Sequence, residues 1–440
     1  MDKPLSINAE RLWQRLMDMG AIGATSKGGC NRQALTDEDA AGRKLFADWC
    51  KAAGCEIRRD AIGNLFAVRP GTRADAPVVL TGSHLDTQPT GGKFDGVFGV
   101  LAGLEVIESL NDARIQTEHP IAVVAWTNEE GCRFDTAMMG SAVWSGNMAL
   151  EEAYNLTDSD GVTVRQELER LQQLGDDGLS PLRVLAAIEA HIEQGPVLER
   201  EGLEIGVVTG VQHMSRHRVV IRGVEAHAGP TPMNLRRDPS RALAEILPRL
   251  YRMSEQFGDD ARLTIGIITT EPGSSNTVPG LLTFTADIRH PDGHQYRAMV
   301  QEFERIVDEV GAEQGLPMDS HCFWRAPGVE FNSRCIDAVR HATRNCGYGF
   351  REIVSGAGHD ACNVASRVAT SMIFIPCRDG LSHNEAEHST PEQVAAGAQV
   401  LLNAIVKLAA GQSGEAREST ARPLNTCAQT KKPGNAGLSL

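Results

Sequence analysis

No stretch of this 440-residue chain approaches the length of a membrane span, and its opening residues, Met1-Asp2-Lys3-Pro4-Leu5-Ser6, lack the apolar run of a targeting segment. The ten cysteines include no C-x-x-C pair and no framework spacing, so they read as reduced thiols rather than a disulfide scaffold. Positive charge is in short supply. The net charge of −14 argues against nucleic acid or an anionic membrane surface as the main partner. These absences lead us to expect a soluble cytoplasmic protein with no nucleic-acid and no membrane partner. The length leaves room for two domains with sizeable cores.

What is present concentrates in a few short blocks. Gly82-Ser83-His84-Leu85-Asp86-Thr87 directly follows the apolar run Val78-Val79-Leu80, and Gly91-Gly92-Lys93-Phe94-Asp95-Gly96 comes a few residues on. If the run is a strand, His84 and Asp86 lie two apart at its end and point the same way. A carboxylate beside an imidazole fixes its tautomer, as metal-ligating histidines require. Asp95 then returns to the same place around the glycine bend. A polar loop after a buried strand is the competing reading of this block alone.

A second strand end of the same kind tips the balance. Pro120-Ile121-Ala122-Val123-Val124-Ala125-Trp126 is apolar throughout, as a strand buried on both faces should be, and it ends in Thr127-Asn128-Glu129-Glu130-Gly131. Val97 to Leu110 is helical by its apolar spacing, so the unit reads strand–helix–strand with both loops at one carboxyl edge. Two further histidines fit: His191 in Ile188-Glu189-Ala190-His191-Ile192-Glu193-Gln194-Gly195-Pro196, and His383 in the segment after the apolar run Met372-Ile373-Phe374-Ile375. Each alone is a plain loop histidine. Together the set suffices for two divalent metals, with His84 and His191 on one, Glu130 and His383 on the other, and Asp95 bridging. Mixed nitrogen and oxygen ligands suit zinc first, with manganese, cobalt or nickel as alternatives.

Between these ligands, Gly206 to Ala326 carries its own pattern. Strands are expected at 217–222, 263–270 and 281–289, with helices at 239–253 and 294–310. That order implies an antiparallel sheet with two helices on one face, inserted into the first domain. The expected division is 1–210 with 327–410 as the catalytic domain and 211–326 as the insert. The Gly/Ser/Thr/Pro-rich stretch 411–440 reads as a disordered tail.

The blocks GSHLDTQPTGGKFDG, WTNEEGCRF, EAHIEQGPVLE, EAHAGPTPM, SGAGHDACNVA and LSHNEAEHS resemble those of the hydantoinase/carbamoylase family of amidases. That family contains N-carbamoyl-L-amino acid hydrolases, bacterial β-ureidopropionases and allantoate amidohydrolases, within the wider two-metal aminoacylase and exopeptidase group. The likeness runs from about Leu12 to about Leu408. It implies an α/β fold: a mixed-sheet, two-metal, exopeptidase-like catalytic domain with an inserted ferredoxin-like α+β lid that also forms a homodimer. His227, in Gly223-Val224-Glu225-Ala226-His227-Ala228-Gly229-Pro230, would reach the partner subunit's active site and polarise the scissile carbonyl. Asn276 and Arg289 would hold substrate, Arg289 by a bidentate clamp on its carboxylate. Gln194 would hydrogen-bond the ureido group, and Gly358 would free the backbone for close approach. His359 would donate to the oxyanion or the carboxylate, or else simply stand at a helix N-terminus. The departures from the family pattern are minor: polar Ser215-Arg216-His217 occupies a place where relatives often carry an aromatic.

The expected chemistry is hydrolysis of the carbamoyl C–N bond of an N-carbamoyl L-α- or β-amino acid, giving amino acid, carbon dioxide and ammonia. Glu129 is the candidate general base, and Asp86 would sit behind the ligands, hydrogen-bonded to His84. Water bound to divalent metal loses its proton near neutral pH, and donors such as His227 would hold the oxyanion. Thr127-Asn128 and the Gln88-Pro89-Thr90 insert favour the carbamoylase side. Allantoate ranks second; an N-acyl amino acid hydrolase or dipeptidase, or a silent metal-binding scaffold, ranks below.

Overall fold

The computed structural model describes residues 5–175 and 182–410. Nine strands make one large mixed sheet. Across it run Glu56–Arg59, Leu65–Arg69, Ile121–Trp126, Val78–His84, Val184–Ile192, Ala369–Ile375 and Ile205–Val211, the last pairing also with Val329–Glu330 and Phe350–Ser355. The four from Ile121–Trp126 to Ala369–Ile375 are mutually parallel. They are buried along most or all of their length, which is why their sequences are continuously apolar instead of alternating. Their carboxyl ends therefore share one edge of the sheet.

The strand–helix–strand unit is present as expected. Helix Val97–Asp112 links two adjacent parallel strands, with Val79 opposite Ile121 and His84 opposite Trp126. It is buried on nearly every side because the sheet lies on one flank and helix Pro391–Ala409 on another, which accounts for its apolar residues around the whole circumference. Gly99 permits the approach: a Cβ there would come within 2.2 Å of the Ala190 carbonyl oxygen. Helix Pro391–Ala409 begins at a capping box, with Thr390 accepting from the Gln393 N–H and Gln393 accepting in return, followed by proline in the first turn.

The chain leaves this sheet after Val211 and re-enters it at Val329. In between, Met318–Ala326, His213–Arg222, Leu281–His290 and Arg262–Glu271 form a four-stranded antiparallel sheet in that spatial order. Helices Pro239–Gln256 and Gly293–Gln314 cover one face and enclose a separate core around Val219, Ile246, Leu250, Phe284 and Phe303. The period-2 alternation on Leu281–His290 is complete, odd positions outward and even positions buried, as a sheet with one covered face demands. Strand Met318–Ala326 has no such signal in its sequence, because this edge strand is exposed along nearly all its length. Residues 411–440, read above as a tail, lie outside the described residues. Among the described residues no helix is long and apolar enough to cross a membrane.

Candidate metal and active site

All four parallel strands deliver chemistry at the shared edge. His84 ends Val78–His84, His191 lies at the end of Val184–Ile192, Glu129 and Glu130 follow Ile121–Trp126, and His383 follows Ala369–Ile375. Two buried arginines hold the loops in place. Arg43 donates to the Ala125 and Trp126 carbonyls at 3.2 and 3.1 Å and to Thr127 Oγ1 at 2.6 Å. Arg32 donates to the Leu85 carbonyl at 2.8 Å. Each donates to carbonyls at a strand end that carries candidate ligands. Neither arginine is announced by a motif in the sequence.

Two groups of ligand atoms meet around Asp95: His84, Asp95 and His191 form one, and Asp95, Glu130 and His383 the other. Asp95 Oδ1 lies 3.6 Å from His84 Nε2 and 3.1 Å from His191 Nε2, while Oδ2 lies 3.7 Å from His383 Nε2. Glu130 Oε2 is 3.3 Å from His383 Nε2. In both buried histidines Nδ1 donates to a backbone carbonyl, that of Asp86 for His84 and that of Ile192 for His191, each at 2.9 Å. That fixes the tautomer with the Nε2 lone pair aimed inward. Gly96 makes room for it, with φ of +67° and a notional Cβ only 2.3 Å from His84 Nε2. This donor set, two pinned imidazoles and carboxylates converging on one shared oxygen pair, fits divalent cations.

The bond expected between the Asp86 carboxylate and His84 is not made. The ring meets the Asp86 backbone carbonyl, and the carboxylate lies 3.8 Å from Nδ1. The carboxylate instead accepts from the Glu129 and Glu130 N–H groups at 3.3 and 3.1 Å, tying the two ligand loops together. Glu129 belongs to neither ligand group. Its Oε2 lies 3.5 Å from His84 Nε2, and among the described residues no hydrogen-bond donor reaches its carboxylate. Burial pushes its pKa well above the usual range; His84 opposes this, while Asp360, Glu130 and Asp86 add to it.

Sequence reasoning missed Glu387. Its Oε1 accepts from the Phe94 and Asp95 N–H groups at 2.9 and 3.1 Å, which fixes the backbone of the shared ligand. Burial beside Asp95 raises its pKa to about 8. Only its place in LSHNEAEHS hinted at a role. Glu189 also groups with His191 and His359, and its oxygens accept from Ser83 Oγ and the Ala361 N–H, which ties three segments together.

A cleft of about 530 Å³ opens above these groups, lined among others by Glu129, Gln194, Arg216, Arg289, Gly358 and His359. Gln194 Nε2 donates to Asp95 Oδ2 at 2.7 Å, and its buried Oε1 has no partner. His359 occupies the N-cap position of helix Asp360–Ala365, yet its side chain does not cap; Nε2 pairs with Ser355 Oγ at 2.9 Å. Arg289 is not held ready as an open clamp. Its Nε and Nη2 grip Asp287 at 2.6 and 3.1 Å, and Nη1 donates to the Gly356 carbonyl at 2.9 Å. His227 and Asn276 do not line this cleft. They sit together on the ribbon formed by Ala226–His227 and Thr277–Val278, where the Ala228 N–H donates to the Asn276 carbonyl.

The sequence pattern of peptidase family M20/M25/M40 matches residues 80–407, the span that holds every candidate ligand named above. The chain belongs to that family. It is a metal-dependent hydrolase of linear amides. A protein of Rhizobium meliloti named N-carbamoyl-L-amino-acid amidohydrolase is 44% identical over 403 residues, 92% of this chain and 97% of its own. An allantoate amidohydrolase of Bacillus subtilis is 32% identical over 393 residues, 89% of this chain and 95% of its own. The crystal structure of a hydantoinase/carbamoylase family amidase from Burkholderia multivorans is 47% identical, with a TM-score of 0.89 over 93% of this chain and 100% of that one.

Proposed function

We propose that this protein hydrolyses the carbamoyl C–N bond of an N-carbamoyl amino acid, with one water consumed and the amino acid, carbon dioxide and ammonia released. The observation that carries the reading is Glu129: a buried carboxylate without a hydrogen-bond donor, beside two ligand groups that share Asp95 and at the floor of a cleft. The 44% identity to a protein named for this activity supports the substrate class. His84, Asp95 and His191 would hold one divalent cation, and Asp95, Glu130 and His383 a second, zinc being the best match to the donors. When bound, the cations supply Lewis-acid chemistry and offset the crowded carboxylates.

The chain's own groups do the rest. Glu129 takes the proton of the attacking water and returns it to the leaving nitrogen. Gln194, braced by Asp95, presents its unpartnered Oε1 to the ureido N–H. Asp86 holds Glu129 and Glu130 in register through their backbone N–H groups. His227 has Nδ1 occupied by the Gly229 N–H, so its Nε2 carries the proton and is a donor suited to an oxyanion. Because His227 and Asn276 lie off the cleft of their own chain, they would serve a second copy in a homodimer formed through 211–326. The nine cysteines of the described residues are all free thiols, which supports a reducing, cytoplasmic setting.

The test is ammonia release by metal-reconstituted enzyme with N-carbamoyl-β-alanine, N-carbamoyl-L-amino acids, allantoate and an N-acetyl amino acid, each with and without chelator. Chelator-sensitive turnover of a carbamoyl compound is expected. Turnover of allantoate alone would transfer the mechanism to the second reading, which the likeness to the Bacillus subtilis protein favours.

A further inference from the structure

Among the described residues, Arg216 is the cation lining the cleft whose hydrogen-bonding capacity is left unspent. It lies on strand His213–Arg222, with Asp287 opposite on one neighbouring strand and Trp324 opposite on the other. Its Nε donates to Asp287 Oδ2 at 3.3 Å, and its Cζ lies 4.7 Å from the Trp324 ring centroid. Asp287 is already matched, because Arg289 takes both of its oxygens. The three charges therefore sum to one surplus positive charge, and the unengaged edge belongs to Arg216. Among the described residues nothing accepts from its terminal nitrogens, and its side chain is 50% exposed. Anchored at Nε and laid over an indole, the guanidinium keeps a fixed plane, and the free Nη1/Nη2 edge has the geometry that grips a carboxylate with two hydrogen bonds.

Met214 and Trp324 would otherwise make an apolar wall here. A guanidinium between them leaves an unpaired charge against an apolar substrate side chain and a matched one against an acidic side chain.

We propose that Arg216 is a specificity-determining residue that reads a second carboxylate on the substrate, so that N-carbamoyl derivatives of acidic amino acids are preferred. This rests on the carbamoyl-hydrolase reading above and narrows it.

The experiment compares kcat/KM of the metal-reconstituted full chain for N-carbamoyl-L-aspartate and N-carbamoyl-L-glutamate against the neutral isosteres N-carbamoyl-L-asparagine and N-carbamoyl-L-glutamine. It is run on the wild type, Arg216→Gln and Arg216→Glu. The acidic pair should lead by about tenfold to a hundredfold, the range of a charge-assisted hydrogen bond. Arg216→Gln should remove most of that lead, chiefly through KM, and Arg216→Glu should reverse it. An equal rate for acidic and neutral pairs in the wild type overturns the inference alone. So does an equal loss on all four compounds in Arg216→Gln, since Arg216 would then bind the carboxylate common to them. Turnover of none of the four, with metal bound, overturns this inference; the carbamoyl reading falls with it only when N-carbamoyl-β-alanine is left intact as well.

Discussion

Replacing Glu129 by glutamine separates proton transfer from metal holding, and the geometry makes the two distinguishable. Glutamine has the same length, leaves the Glu129 N–H bond to Asp86 intact and removes only the basic oxygen. Because Glu129 belongs to neither ligand group, metal content should stay near wild type. A positioned general base is worth roughly 10²- to 10⁴-fold, or about 3 to 5.5 kcal/mol of barrier, and that is the expected fall in kcat. The assay is ammonia release under saturating carbamoyl substrate, beside metal quantification on the same desalted sample and a thermal melt. Glu129→Asp should recover little, since shortening the side chain draws the carboxylate away from the ligand groups. Turnover within tenfold of wild type with metals bound would refute the base assignment. Loss of metal along with activity would refute the separation, and would make Glu129 a ligand.

Glu387→Ala leaves the buried Phe94 and Asp95 N–H groups without an acceptor, so about 2–4 kcal/mol of stability should be lost and metal affinity should fall; Glu387→Gln, which keeps an oxygen, should lose less of both, as urea unfolding and metal titration will show. Metal binding should release protons, because the metal-free site keeps His84 and His191 above their ordinary range despite burial and raises Glu130 to about 8; titration calorimetry in buffers of different ionisation heat measures the number, and a value of zero at pH 7 contradicts it. His217, buried under the smaller sheet's helices, has its pKa lowered to about 4 by burial and by Arg325 and His321, so the unfolded chain binds its proton first as pH falls. Stability tied to His217 is then complete above about pH 6.5 and is lost towards pH 4, by roughly 1–2 kcal/mol after solvent screening; a His217→Gln variant with the same pH slope as wild type between pH 7.5 and 5 would contradict this.

The parallel core was legible because burial on both faces forces a simple signal. Pro120–Trp126 and Met372–Ile375 can be apolar without interruption only if nothing on either side is water, and polar residues directly after such a run must then be at a sheet edge. The residues expected to hold metal, His84, Asp95, Glu130, His191 and His383, are brought together. Second partners were not legible, since they depend on backbone direction, which side-chain patterns do not encode. The Asp86 carboxylate turned to two N–H groups in the next loop instead of the imidazole beside it, because those buried donors had no other acceptor. Glu387 and the two arginines act over long sequence separations, through backbone groups that every residue has. Strand Met318–Ala326 was invisible for a different reason, as exposure leaves an edge strand free of any apolar period.

The backbone itself marks the same place. Asn128, Gln194 and His383, one in each of three loops around Asp95, all adopt φ between 53° and 57°. A left-handed conformation costs a non-glycine residue about 1–3 kcal/mol, so three of them within one site persist only where the surroundings over-determine them. Here the surroundings can be named. Asn128 donates to the Phe134 and Thr136 carbonyls, Gln194 donates to Asp95 and Ser382, and His383 faces Glu130 and Asp95. The first two are held by protein hydrogen bonds. Among the described residues His383, with 52% of its side chain exposed, faces only two carboxylates, and two ionised carboxylates repel one another unless a cation stands between them. The strain at His383 is therefore the part of this site that a divalent cation on Asp95, Glu130 and His383 would most directly stabilise.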